Sequence, residues 1–288
     1  MEEYYFLFFV ALLWIIFATV QDLKTREVSN WLSFSLIAIA LAYRAFYSAF
    51  INDWEFFAFG LLGFGIFFVL AHAFYYARVF AGGDAKLLMG LGAVLPFSSY
   101  YDLAFVSLLF ISALFSIGAV YSLIYSVFLV YRNTNGFKKE FVKLFINNKK
   151  LCIIFWVFSG LLIMFSWQPN FIWVIITLFF LIAPLLYIYL KALETSCMIK
   201  LISADKLTEG DWLEHDIRVG GHIIKKSVHG LSLQEIKMLR KAGKKALIKE
   251  GIPFVPAFLI AFLVMVLFFS VLGLDFQKLV SLLEGFFV

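Results

Sequence analysis

Ala81-Gly82-Gly83-Asp84-Ala85-Lys86-Leu87-Leu88 is the stretch on which the rest of the chain turns. It sets a carboxylate and a glycine pair at the mouth of an apolar segment. An ionisable group at the edge of a hydrocarbon layer is expensive and marks a functional site by default. Glycines carry no Cβ, so Gly82 and Gly83 let another backbone or a substrate come close. Asp84 therefore needs a partner. The sequence offers Asp22, at the end of the first apolar segment.

The composition is that of a membrane protein. Hydrophobic residues make up 63% of the 288 positions and charged residues 15%, against roughly half and a quarter in soluble domains. The 37 Phe suit lipid-facing helices. The net charge of +5 gathers in loops beside apolar runs, which is a topology signal and not a nucleic-acid footprint. Cys152 and Cys197 form no CxxC pair, so no thiolate zinc site is expected. His215, His222 and His229 fit no standard ligand spacing, and neither a metal nor another cofactor is expected. Met1-Glu2-Glu3 lacks the basic start of a cleavable signal peptide, so the first span is expected to be retained.

Eight apolar segments are expected to span: residues 4–21, 29–51, 55–77, 84–97, 102–131, 151–168, 171–191 and 253–273. The fourth is short. The tail from Leu274 to Val288 is expected to lie along the surface. The loops alternate in charge. Residues 132–150 carry six Lys or Arg, and residues 191–252 carry twelve against eight acids. Loops 98–102 and 167–170 carry none. Basic loops stay cytoplasmic. Both termini then lie outside, and Asp22 and Asp84 fall at one depth of the inner leaflet. Asp53, Glu55 and Asp102 fall on the opposite face. The fold class is an all-α integral membrane protein of about eight helices (six to eight) with a small cytoplasmic α+β domain. The expected divisions are residues 1–191, 192–250 and 251–288.

Within 192–250, a hairpin turning at Gly220-Gly221 is expected between 211–217 and 219–224. Ser232 and Glu235 form a capping box that opens a basic amphipathic helix running through Lys249. Arg44 is expected to snorkel outward or to pair with Asp53 or Glu55. His72 reads as a packed histidine. Ser29 and Asn30 read as caps of the second span, or as site residues.

Two carboxyls side by side cannot both ionise easily and share a proton. One then activates a water while the other protonates the substrate carbonyl, which hydrolyses a peptide bond without a covalent intermediate. Asp22 sits at the negative end of its helix and Asp84 at the positive end of its own. The sequence thus favours the charge on Asp84 and the shared proton on Asp22.

These motifs resemble those of the type IV prepilin peptidases, the GxGD membrane aspartyl peptidases. Residues 22–30, Asp-Leu-Lys-Thr-Arg-Glu-Val-Ser-Asn, resemble the first aspartate motif. Residues 81–86 resemble GxGD, with Ala81 in place of the first glycine. Gly251-Ile252-Pro253-Phe254-Val255-Pro256 resembles the proline-phenylalanine motif of a late span. The pattern is most similar to the archaeal preflagellin and prepilin peptidases. The resemblance implies removal of a short basic leader from pilin-like or preflagellin precursors at the cytoplasmic face of the cell membrane. It implies catalysis by Asp22 and Asp84, supported by Gly82, Gly83, Lys86, Asn30, Pro253 and Phe254. The tetracysteine module of many bacterial members is absent, and with it the support for a methyltransferase activity. A presenilin-like protease fits less well, because Gln21 stands where a tyrosine belongs and Ile182-Ala183-Pro184 does not match the PAL motif. A proton-coupled transporter would place its acids near the midplane and show repeated halves.

Overall fold

The computed structural model describes residues 2–165, 171–227 and 229–270. The tail from Leu274 and the loop 167–170 lie outside these residues. The chain is mostly helical: α1 (Glu2–Thr25), α2 (Asn30–Ile51), α3 (Glu55–Tyr76), α4 (Gly82–Val94), α5 (Tyr100–Arg132), α6 (Thr134–Asn147), α7 (Lys149–Phe165) and α8 (Phe171–Leu193). Four short strands follow, β1 (Ile199–Ser203), β2 (Ile217–Val219), β3 (His222–Ile224) and β4 (Lys245–Lys249). Helix α9 (Leu233–Lys241) precedes β4, and α10 (Val255–Ser270) closes the described chain. The chain groups into two compact units: the N-terminal part to Leu123 with the described chain from Ile252, and Ile124–Gly251.

The described residues support the lower end of the expected six to eight spans and not the count of eight. Among the described residues, five helices are long and apolar enough to cross a bilayer: α1, α2, α3, α5 and α8. A sixth arises if α6 and α7, bent by 67° at Asn148, count as one. Helix α4 has 13 residues, a length of about 20 Å against a hydrocarbon core of about 30 Å. Its Ala85 and Leu87 to Val94 are buried, so it is a core helix of the first unit.

Close backbone approach holds α4 there. A Cβ on Gly63 of α3 would lie 2.5 Å from the Gly92 carbonyl oxygen, and one on Gly92 2.8 Å from that of Gly63. A Cβ on Gly90 would meet Leu36 of α2 at 3.0 Å.

Arg44 of α2 locks the far end of α4, and its expected outward course is also corrected. The side chain is 0% exposed. Its Nε donates to the Ala93 carbonyl at 2.8 Å, Nη2 to that of Leu95 at 2.7 Å, and Nη1 to that of Phe56 at 2.8 Å. A helix leaves its last carbonyls without partners and carries partial negative charge there. The guanidinium answers both needs. Tyr4 and Phe56 cover it, with centroids at 5.2 and 4.6 Å. Asp53 instead accepts the Glu55 N–H at the start of α3, and Asp102 accepts the Ser98 and Ser99 hydroxyls at the start of α5.

In the second unit, the basic stretch read as a loop is largely helix α6, with Phe137, Phe141 and Phe145 along one face. Helices α7 and α8 pair, with Phe180 between Phe155 and Phe158. The polar module pairs β1 with β4 and β2 with β3, both antiparallel, the latter turning at Gly220-Gly221. Helix α9 starts at the expected capping box, with Ser232 and Glu235 bonded reciprocally. It stops at Lys241, eight residues before the expected end. Gly243 turns the chain at φ +58°, and Ala246 and Ile248 then alternate into the module's core on a strand.

Candidate active site

The site is assembled in the first unit at the last turn of α1, the first turn of α4 and the first turn of α10. Helix α1 ends where Arg26 enters the left-handed region at φ 61° and its N–H returns to the Asp22 carbonyl at 2.9 Å. Asp22 is thereby the last inward-facing polar residue of the helix, 6% exposed. Its Oδ2 accepts the Val255 N–H at 3.0 Å. Val255 is the first residue of α10, so its N–H has no acceptor inside its own helix.

Asp84 is the third residue of α4. Its Oδ2 accepts the Ala81 N–H at 3.2 Å, which binds the carboxyl back over the start of its own helix. Asp22 and Asp84 lie within Coulombic reach of each other. The structure thus brings together two carboxyls that are remote in sequence. One oxygen of each is held by a backbone N–H.

The flanking residues explain the motif spacing. Ala81 has φ −71° and ψ 165°, an ordinary extended conformation, so an alanine fits at that position without strain. Gly83 is different, because a Cβ there would lie 3.1 Å from the Val28 Cβ and 3.4 Å from its nitrogen. Gly82 has more room, its nearest neighbour being Tyr75 at 3.8 Å. Lys86 does not reach Asp84 in a bond of its own. Its Nζ donates to the Asn30 Oδ1 at 2.6 Å and lies 5.9 Å from the centroid of the Phe34 ring, joining the starts of α4 and α2. Ser29 occupies the N-cap of α2 without a side-chain capping bond; its N–H donates to Gln21 Oε1 at 3.0 Å.

Pro253 is buried before α10. The Phe254 ring lies over Gly118 of α5, where a Cβ would sit 2.3 Å from its Cζ, and packs on Phe80 and Phe258 at 5.6 and 5.9 Å. His72 donates from Nδ1 to the Phe68 carbonyl, 2.9 Å away. Sequence reasoning missed the Val255 amide. A backbone N–H leaves no mark in a side-chain pattern, and only the proline pair at 253 and 256 hinted at a helix start here.

The family comparison falls on this part of the chain. Residues 9–130 match the type IV leader peptidase family. The match contains both Asp22 and Asp84, and the resemblance read from the motifs is borne out. Among curated proteins, a preflagellin peptidase of Methanocaldococcus jannaschii is 33% identical over 89 residues, 31% of this chain and 38% of that protein. A preflagellin peptidase of Methanococcus voltae is 25% identical over 144 residues, 46% of this chain and 61% of the relative. One from Methanococcus maripaludis is 29% identical over 89 residues, again 31% and 38%. Each alignment covers less than two thirds of the relative.

Proposed function

We propose that this chain is a membrane-embedded aspartic endopeptidase that removes the basic leader of preflagellin-like or type IV prepilin-like precursors. The observation that carries the reading is the pairing of Asp22 and Asp84 at adjoining helix ends, inside the stretch that matches the leader peptidase family. The named activity of the three methanogen relatives supports the substrate class.

The chemistry follows from two carboxyls and one water. The ionised carboxylate takes a proton from the water as its oxygen attacks the scissile carbonyl carbon. The protonated carboxyl gives its proton to the carbonyl oxygen, so the tetrahedral intermediate carries no net oxyanion. The carboxyl that gained the water's proton then passes it to the leaving amide nitrogen as the C–N bond breaks, and a hydroxyl of the intermediate returns its proton to the other carboxylate. The two products are a new carboxyl and a new amine, and neither aspartate is consumed. Gly83 keeps the first turn of α4 against Val28, and Lys86 with Asn30 fixes that turn to α2.

Lys24, Arg26, Arg78 and Lys86 beside this end of α1 and α4 support a cytoplasmic position for it. A precursor whose leader is cytoplasmic and whose next segment is apolar presents its cleavage site at that depth. The test is cleavage of a purified preflagellin-like precursor by the purified chain in lipid bicelles. Wild-type protein cleaves at the leader boundary, and Asp22→Asn and Asp84→Asn each abolish cleavage. Retained cleavage in either variant, or an intact precursor with wild-type protein alongside proton-coupled flux in vesicles, overturns the proposal.

A further inference from the structure

The family match ends at residue 130, yet the Asp22 carboxyl is held by an atom from residue 255. We infer that the first turn of α10 is a third working part of the site, in which the Val255 amide is a positioning group that fixes the Asp22 carboxyl by its Oδ2. This deepens the peptidase reading and rests on it.

Three observations carry the inference. The bond is buried at both ends: Asp22 is 6% exposed and Val255 0%. The donor is the first N–H of α10, so it is left over from that helix's own ladder and aimed outward along its axis. A carboxylate at a helix N-terminus is held by both that N–H and the helix dipole. The start of α10 is also clamped independently of Asp22. Phe254 is seated over Gly118 and against Phe80, and Pro253 is buried. The donor is therefore held in place and does not follow the carboxylate.

The arrangement does something for the reaction. An N–H donates and cannot accept, so the Oδ2 oxygen it engages does not carry the proton. Ala81 treats the Oδ2 of Asp84 in the same way. A proton on either carboxyl is then left to its other oxygen. The contact also changes the dipole account drawn from sequence. The negative end of α1 behind Asp22 is met by the positive end of α10, so Asp22 is not disfavoured as the seat of the charge.

Removing one backbone N–H without removing a residue calls for proline. Val255 is the first helical residue, where proline's missing N–H and fixed φ are tolerated. Val255→Pro therefore deletes the donor and keeps the helix start, while Val255→Ala keeps the donor and trims the side chain. With the full chain in bicelles and a preflagellin-like precursor, Val255→Pro lowers kcat about tenfold or more, the scale of one hydrogen bond to a charged group, with KM within about twofold. Val255→Ala stays within about threefold in both. Equal kcat in the two variants overturns the inference.

A second measurement does not depend on how the proline variant folds. In wild-type protein the Val255 amide exchanges slowly with deuterium, because Asp22 is its acceptor. Asp22→Ala speeds that exchange at least tenfold, and Asp84→Ala does not. An unchanged rate in Asp22→Ala also overturns the inference. The two proposals separate cleanly: if Asp22→Asn and Asp84→Asn still cleave, the peptidase reading falls, whereas if they are dead but Val255→Pro behaves as Val255→Ala, only the role of α10 falls.

Discussion

The Arg44–Gly60 contact gives the sharpest stability test of the fold that presents the site. A Cβ on Gly60 would stand 2.2 Å from Arg44 Cδ and 2.6 Å from Nε. The arginine cannot swing aside, because its three nitrogens are bound to the Ala93, Phe56 and Leu95 carbonyls. Gly60→Ala therefore overpacks a locked side chain and costs about 1–3 kcal/mol. Arg44→Ala leaves three buried carbonyls without a donor. Hydrogen bonds from a charged group contribute about 1.5–3 kcal/mol each; offset by the desolvation no longer incurred, the net loss is about 3–5 kcal/mol. In the Arg44→Ala background the space beside Gly60 is empty, so Gly60→Ala there costs close to nothing. The double-mutant cycle then gives a coupling of about 1–3 kcal/mol. Reversible unfolding in bicelles or mixed micelles, followed by tryptophan fluorescence, measures all four corners. If Gly60→Ala costs the same with and without Arg44, the lock described here does not exist.

Four further outcomes follow from the site. Gly83→Ala, whose Cβ would meet Val28 at 3.1 Å, cuts precursor cleavage at least tenfold, while Gly82→Ala, with 3.8 Å of clearance, stays within about threefold; steady-state cleavage assays decide, and equal losses refute the packing argument. Gly118→Ala drives a Cβ to 2.3 Å from Phe254 and lowers kcat through the start of α10, an effect relieved by shortening the ring in Gly118→Ala/Phe254→Leu; no relief refutes that route. Lys86→Met and Asn30→Leu each lower activity about two- to fivefold and are non-additive in the double variant, since either one breaks the single bond between them; additive losses show separate roles. Gly243→Ala, at φ +58°, destabilises the polar module by about 1 kcal/mol, read as a lower midpoint for loss of β-sheet signal, and an unchanged midpoint speaks against the helix stop.

Much of the site was legible because charge is rare in this sequence. Asp22 and Asp84 stand out from apolar flanks, and the loop charges place them at one end. Arg44 was equally visible, but its destination was not. Its acceptors are backbone carbonyls 12, 49 and 51 positions away, which no residue pattern announces. Eight apolar segments exceed the spans found among the described residues where apolar length and membrane crossing part company. Helix α4 is apolar all round because it is surrounded by protein, and hydropathy cannot tell that from lipid. Helix α6 carries its own signal, since Phe137, Phe141 and Phe145 recur every four residues, but the lysines between them read equally as a topology signal. The helix expected through Lys249 failed on a local rule that was available, the glycine at 243 followed by a period-two alternation.

The contact between Asp22 and Val255 joins positions 233 apart along the chain. Ribosomes deliver both aspartates before the amide that bonds the first of them. A nascent chain halted before position 255 holds both acids and lacks the Val255 bond, so the proposed clamp on Asp22 forms only once synthesis has passed residues 192–250.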